Sequence, residues 1–144
     1  MHISLTEAQA MVDRACAHAE LIGVPMNIAV VDGGGHLLAF VRMDGAILGS
    51  IDIALNKAKT SILFNGPSEN LWEFCKPGGP APATEFTNGG LIPYAGGVAL
   101  NDCQMHSRKG EPWSERAIRA ALGRVGGTGE SYGPIGRVST NRAP

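Results

Sequence analysis

The chain has 144 residues, with 12 Lys and Arg against 13 Asp and Glu, a formal net charge of −1. That balance gives no basis for binding nucleic acid or an anionic membrane surface, and no apolar run approaches membrane-spanning length. Hydrophobic residues make up 44%, enough for the core of one domain. Cys16, Cys75 and Cys103 form no C-x-x-C pair, so neither a disulfide framework nor a zinc cluster is expected, and a reduced, cytoplasmic protein fits best. The opening "MHISLTEAQAMVDRAC" has no basic segment followed by an apolar one, so no signal peptide is expected.

"SLTEAQAMVDRACAHAELIGVP" predicts a first helix. Ser4 and Glu7 have capping-box spacing. Leu5, Ala8, Val12, Ala15, Ala19 and Ile22 make one apolar stripe, and Gly23 and Pro25 end it. "MNIAVV" and "HLLAFVRM" read as short strands, joined by Asp32 and Gly33 to Gly35 as a hairpin, because glycine tolerates the positive φ of tight turns. Both faces of the first strand are apolar, so the sheet should be covered on both sides. "AILGSIDIALNKAKTSILF" predicts a second helix with a main stripe of Ile47, Ile51, Leu55, Ala58 and Ile62. Ile53 and Phe64 fall on another side, a surplus apolar patch that points to self-association.

Further on, "PSENLWEFC" predicts a short helix capped by Ser68, and "KPGGPAPATEFTNGGLIPYAGG" a long loop of the kind that is usually functional or disordered. "GVAL" reads as a strand and "EPWSERAIRAALG" as a short amphipathic helix ended by Gly123. The tail from Arg124 has few apolar anchors. The chain shows no repeats, and a single domain over residues 1–144 is expected.

Taken in order, "AVVDGGGHL", "RMDGA", "SIDIALNKA", a P-G-G loop and "GLIPYAGGV" are specific as a set. Dense from about Leu5 to Gly97, they resemble the GlcG/HbpS-like family, also called DUF336, which includes the C-terminal domain of PduO-type proteins. The resemblance implies an α/β (α+β) domain, an antiparallel sheet with helices on both faces similar to a profilin-like fold, assembled as a homo-oligomer. It implies a small-ligand-binding protein, with haem a possible cofactor. In the PduO-type branch a histidine of the first helix ligates haem iron, which makes His18 the metal-ligand candidate. Residues 101–144 diverge from the family pattern, with "GGTGE" late and without its usual Q-D.

The residues themselves suggest a site at the polar rim of the hairpin. His36 suits acid/base or ligand chemistry; the plain alternative is a polar residue opening a strand. Arg42 could hold a carboxylate in two-point fashion, with Asp44 as a structural ion partner or a helix-terminal carboxylate. Lys57, among apolar neighbours, could anchor a substrate or could be an interface lysine. In the Pro/Gly loop, Glu85 could act as a general base if desolvated, with Thr84 and Thr87 as ligand contacts and Phe86 and Tyr94 excluding water. His106 near Cys103 is a weak metal signal, and Cys75 reads as structural. The expectation is a pocket bounded by His36, Arg42, Lys57 and Thr84–Thr87 that takes a small anionic molecule. Two functions compete: a ligand- or haem-binding oligomer, and a cofactor-independent hydrolase, isomerase or dehydratase acting on a small carboxylated metabolite.

Overall fold

The structure, a computed structural model, describes residues 3–99. Helix α1 spans Leu5–Leu21, and its capping box forms in full: Glu7 N donates to Ser4 Oγ at 3.3 Å while Ser4 N donates to Glu7 Oε2 at 2.8 Å. The two bonds satisfy donors that the first helical turn would otherwise leave orphaned. Ala8, Val12, Ala15 and Ala19 are its buried stripe; Leu5 and Ile22, expected to extend it, are exposed. Past Ile22 the chain turns at Gly23, whose φ is +68°, and Val24 N donates to Ala19 O. The left-handed backbone at this point is what glycine permits.

Strands β1 (Asn27–Val31) and β2 (Leu37–Arg42) pair antiparallel, from Asn27 opposite Arg42 to Val31 opposite Leu37. Asp32 sets the turn between them. Its Oδ1 accepts from Gly34 N at 2.8 Å and from His36 N at 2.9 Å, the side-chain-to-backbone bonding that makes Asp a turn residue. A register shift between Val30 and Val31 leaves Leu38 as the extra residue of a bulge.

Successive strand residues point to opposite faces. On one face Ile28, Val30, Ala39 and Val41 pack with Ile3, Ala8, Met11, Val12 and Cys16, so α1 covers it. On the other, Asn27 Nδ2 donates to Ser50 Oγ at 2.6 Å and to Ile47 O at 3.0 Å, tying β1 to the start of helix α2 (Ser50–Leu63). Helices therefore lie on both faces of an antiparallel pair, as expected. Helix α2 begins four residues later than the sequence suggests. Gly45, at φ +82°, and the turn bonds Ala46 N to Met43 O and Ser50 N to Ile47 O hold the chain out of the helix.

Beyond α2 the expected helix "PSENLWEFC" resolves into a 3-10 turn at Ser68–Leu71 and a single α turn, α3, at Trp72–Cys75. Ser68 is not its cap. Its hydroxyl is buried, donates to Tyr94 O at 2.6 Å and accepts from Gly97 N at 3.0 Å. Thr60 Oγ1 likewise accepts from Ile92 N at 2.9 Å. These two buried hydroxyls staple residues 92–97 across α2, while Leu71, Cys75 and Leu91 form a second small core beside it. Gly97 and the two residues after it, expected as a strand, belong to none. The helix expected from Glu111, the tail, Cys103 and His106 lie outside the described residues.

Candidate functional site

The expected rim does not close into one pocket. His36 directly precedes β2 and is exposed, beside the turn; Arg42 closes β2 and is exposed at the opposite end. A strand advances about 3.3 Å per residue, so roughly 20 Å separates them. Arg42 and Asp44 form no ion pair; a salt bridge further along the chain joins Lys76 to Glu73. The acidic residue in the first turn of α2 is Asp52.

The loop candidates divide similarly. Thr84 and Thr87 lie at a 3-10 turn (Thr84–Phe86) and spend their hydroxyls on nearby backbone, on Ala81 O and Thr84 O respectively. Phe86, at 80% exposed, excludes water from nothing among the described residues. Glu85 is half-buried against Cys75. Burial first, then the Glu85 charge, push the Cys75 thiol above its ordinary 9.0, while its Sγ donates to Trp72 O at 3.9 Å. Cys75 is thus a neutral, buried thiol, consistent with the structural reading and opposite to an activated nucleophile.

Lys57 and Tyr94 do come together. The Lys57 ammonium sits 4.4 Å from the centroid of the Tyr94 ring, within cation–π range. Burial lowers the Lys57 pKa below its ordinary 10.5, and the charge of Glu69 partly opposes that. Glu69 and Tyr94, with Trp72, Pro93 and Ala95, line an open cavity of about 390 Å³. Glu69 and Trp72 escaped the sequence reading, because nothing in the chain signals that the turn after α2 folds back beside Lys57. Lys59 was also missed: its ammonium donates to Asn88 O, fastening the loop to α2 near the hairpin turn.

A second cleft, of about 100 Å³, runs along β1 between the helices. Met11 of α1, Val30 and Val31 of β1, and Ala58 and Ile62 of α2 line it. His18 lies seven residues after Met11 and four before Ile22, on the same flank of α1. It is half-buried. Around this end of the domain the apolar surface is large: Leu21 is 81% exposed, Ile47 66% and Leu48 67%, with Ile22 and Val24 also open. The Val24–Ala19 and Asn27–Ile47 bonds bring the end of α1 and the start of α2 to this same end, where Arg42 also lies.

An antiparallel hairpin clasped between two helices, with a histidine on one helix flank and a lysine on the other helix, defines a mixed α+β domain with side chains suited to small ligands. Comparison with known proteins places it. The sequence model of a family described as "Haem degrading protein HbpS-like" matches residues 3–107, and the chain belongs to that family. An uncharacterized 15.0 kDa protein from the dhaT–dhaS intergenic region of Citrobacter freundii is 36% identical over 102 residues, covering 69% of this chain and 72% of the relative. The corrinoid adenosyltransferase PduO of the same organism is 28% identical over 131 residues. The match takes in 90% of this chain but 36% of PduO, so the chain spans about a third of that relative.

Solved structures agree on the fold. The DUF336 protein ORFY of Klebsiella pneumoniae superposes with a TM-score of 0.67 at 31% identity, covering 70% of each chain. HbpS does so with a TM-score of 0.65 at 28% identity, covering 85% of this chain and 89% of the other. A PduOC:heme complex, 23% identical with a TM-score of 0.67, covers 88% and 94% and shows the shared fold.

Proposed function

We propose that this chain is a small-ligand-binding protein whose ligand is a haem, held at the end of the domain where α1 stops and α2 begins. One observation supports the reading: the half-buried His18 lies in the last turn of α1, at the end of the domain where Leu21, Ile22, Val24, Ile47 and Leu48 are each exposed and where Arg42 closes β2.

A haem asks three things of a protein: an axial donor, apolar walls for the macrocycle, and a cation or water for its propionates. The residues present fit. His18 would supply the imidazole, Leu21, Ile22, Val24, Ile47 and Leu48 the walls, and Arg42 a charge-assisted bond to a propionate. When bound, the group would supply redox-active iron. The chain's own part is to hold the ring against the α1 flank, exclude water with the exposed leucines and isoleucines, and neutralise one carboxylate. The family description supports this reading, and PduOC, which shares the fold, has been solved with haem. So much exposed apolar surface at one end also suits a homo-oligomer in which a second copy covers what the ligand does not. Cys16 and Cys75 are free thiols, in keeping with a cytoplasmic setting.

Titration of the purified chain with haemin, followed by its Soret band, tests the reading. Saturable binding near one haem per chain is expected, abolished in His18→Ala. Arg42→Ala should weaken it about tenfold, the loss of one hydrogen bond between charged groups. Equal binding by a correctly folded His18→Ala chain would remove His18 from the site.

A further inference from the structure

We infer a modification site, independent of the haem reading: Asn88 converts spontaneously to an aspartyl or isoaspartyl residue through attack of the Gly89 main-chain nitrogen on its side chain, a step that Lys59 promotes.

The chain carries two Asn-Gly pairs, Asn65–Gly66 and Asn88–Gly89. Such pairs are the reactive ones because glycine has no side chain to obstruct its own nitrogen. Asn27, Asn56 and Asn70 precede Ile28, Lys57 and Leu71 and lack this opening. By sequence the two pairs look alike, and both asparagines have positive φ, +48° at Asn65 and +54° at Asn88.

The structure separates them. Just past α2, Gly66 N donates to Ser61 O at 3.0 Å, so its nitrogen is engaged. Asn88 and Gly89 are instead the central residues of a turn closed by Gly90 N donating to Thr87 O at 2.9 Å. Their φ angles are +54° and +76°, positive at both places as a type I′ turn requires. Both residues are exposed, and Gly89 N donates to no acceptor among the described residues. The Asn88 side chain is held by an exposed bond, Nδ2 to Thr87 Oγ1 at 2.9 Å, which water replaces at little net cost.

Lys59 adds the activating contact. Its ammonium donates to Asn88 O, the carbonyl of the same peptide unit whose nitrogen is Gly89 N. A Cβ on Gly89 would stand 3.7 Å from that Nζ, so the ammonium lies against both halves of the unit. A cation there favours the anionic form of the amide over the neutral one, which makes its N–H a stronger acid.

The step balances. Hydroxide takes the proton of Gly89 N, and the nitrogen attacks Asn88 Cγ. The N–Cγ bond forms, the Cγ–Nδ2 bond breaks, and ammonia leaves with a proton from water. Water then opens the cyclic imide. Opening at Cγ gives an aspartyl residue; opening at the main-chain carbonyl carbon routes the chain through the side chain as an isoaspartyl residue. The sum is water in and ammonia out, with neither oxidant nor reductant. Either product sets a carboxylate beside Lys59, at the point where the loop is fastened to α2.

The test holds the full chain in mildly alkaline buffer over days. Peptide mapping by mass spectrometry then reads the amide-to-acid mass gain at each asparagine. Gly66 N must first give up a backbone bond and Lys59 acts only at Asn88, so Asn88 should convert about tenfold faster than Asn65. In guanidinium chloride the two rates should converge. Lys59→Gln should slow Asn88 several-fold and leave Asn65 unchanged, while Lys59→Arg, which keeps the cation, should retain the parent rate; circular dichroism checks that both variants fold. Equal rates at the two asparagines in the folded chain, or an Asn88 rate in Lys59→Gln at or above the parent's, would overturn the proposal.

Discussion

Gly97 is the residue on which the strap of residues 92–97 depends. A Cβ there would stand 2.3 Å from Lys57 O and 2.5 Å from Ser61 Oγ, closer than any packing tolerates. Helix α2 and the strap would have to part. Gly97→Ala should therefore cost about 3 kcal/mol, at the upper end of overpacking losses, and chemical denaturation would read it as a lower midpoint with an unchanged slope. The Cys75 thiol gives a pH signature of its own. Burial and Glu85 raise its pKa above the ordinary 9.0. Below 9.0 the folded and unfolded chains both hold the proton, so this group's contribution is fully present. As pH rises past 9.0 the unfolded chain ionises first, and the contribution is lost through the folded value. Urea unfolding from about pH 8 to pH 10 should show stability falling with pH, and Cys75→Ala should flatten that slope. An unchanged slope would mean that the folded thiol titrates as it does in the unfolded chain.

At the scale of elements, the first helix and the hairpin were open to reading because their signals are local. The capping box lies within four residues, the Asp32 turn within five, and both formed as the spacing demands. Ser68 misled because its type suits a helix cap, whereas its hydroxyl serves a strap 26 residues on. The late start of α2 has a similar cause: Gly49 stands at the N-cap and offers no side chain, so apolar periodicity ran on through residues the backbone keeps out of the helix. The site suffered most. His36 and Arg42 sit close in sequence, and the length of β2 separates them, while Lys57 and Tyr94, 37 residues apart in sequence, meet across the strap. Ser68→Ala tests this element directly. It orphans Tyr94 O and Gly97 N, and each unsatisfied buried group costs about 1–3 kcal/mol. Hydrogen exchange should rise in residues 92–97 well before it rises in α1; uniform loosening would mean that the strap is not a separate unit.

For the whole molecule, α2 is the telling element. Thr60 and Ser61 are its only fully buried residues, and both are polar; Leu63, and Phe64 just past its end, are exposed. A helix whose apolar side chains stay half in water within its described surroundings is one that gains from further cover. Light scattering should give a multiple of the 15.0 kDa chain mass, and a monomer at micromolar concentration would contradict that. The central claim, that the apolar end around His18 receives haem, meets its most direct test in a side-by-side haemin titration of the parent chain and His18→Ala, read at the Soret band with circular dichroism as the check on folding. The account predicts a sharp, saturating band for the parent chain and only the broad absorbance of free haemin for the folded variant. Identical spectra and affinities for the two would contradict it.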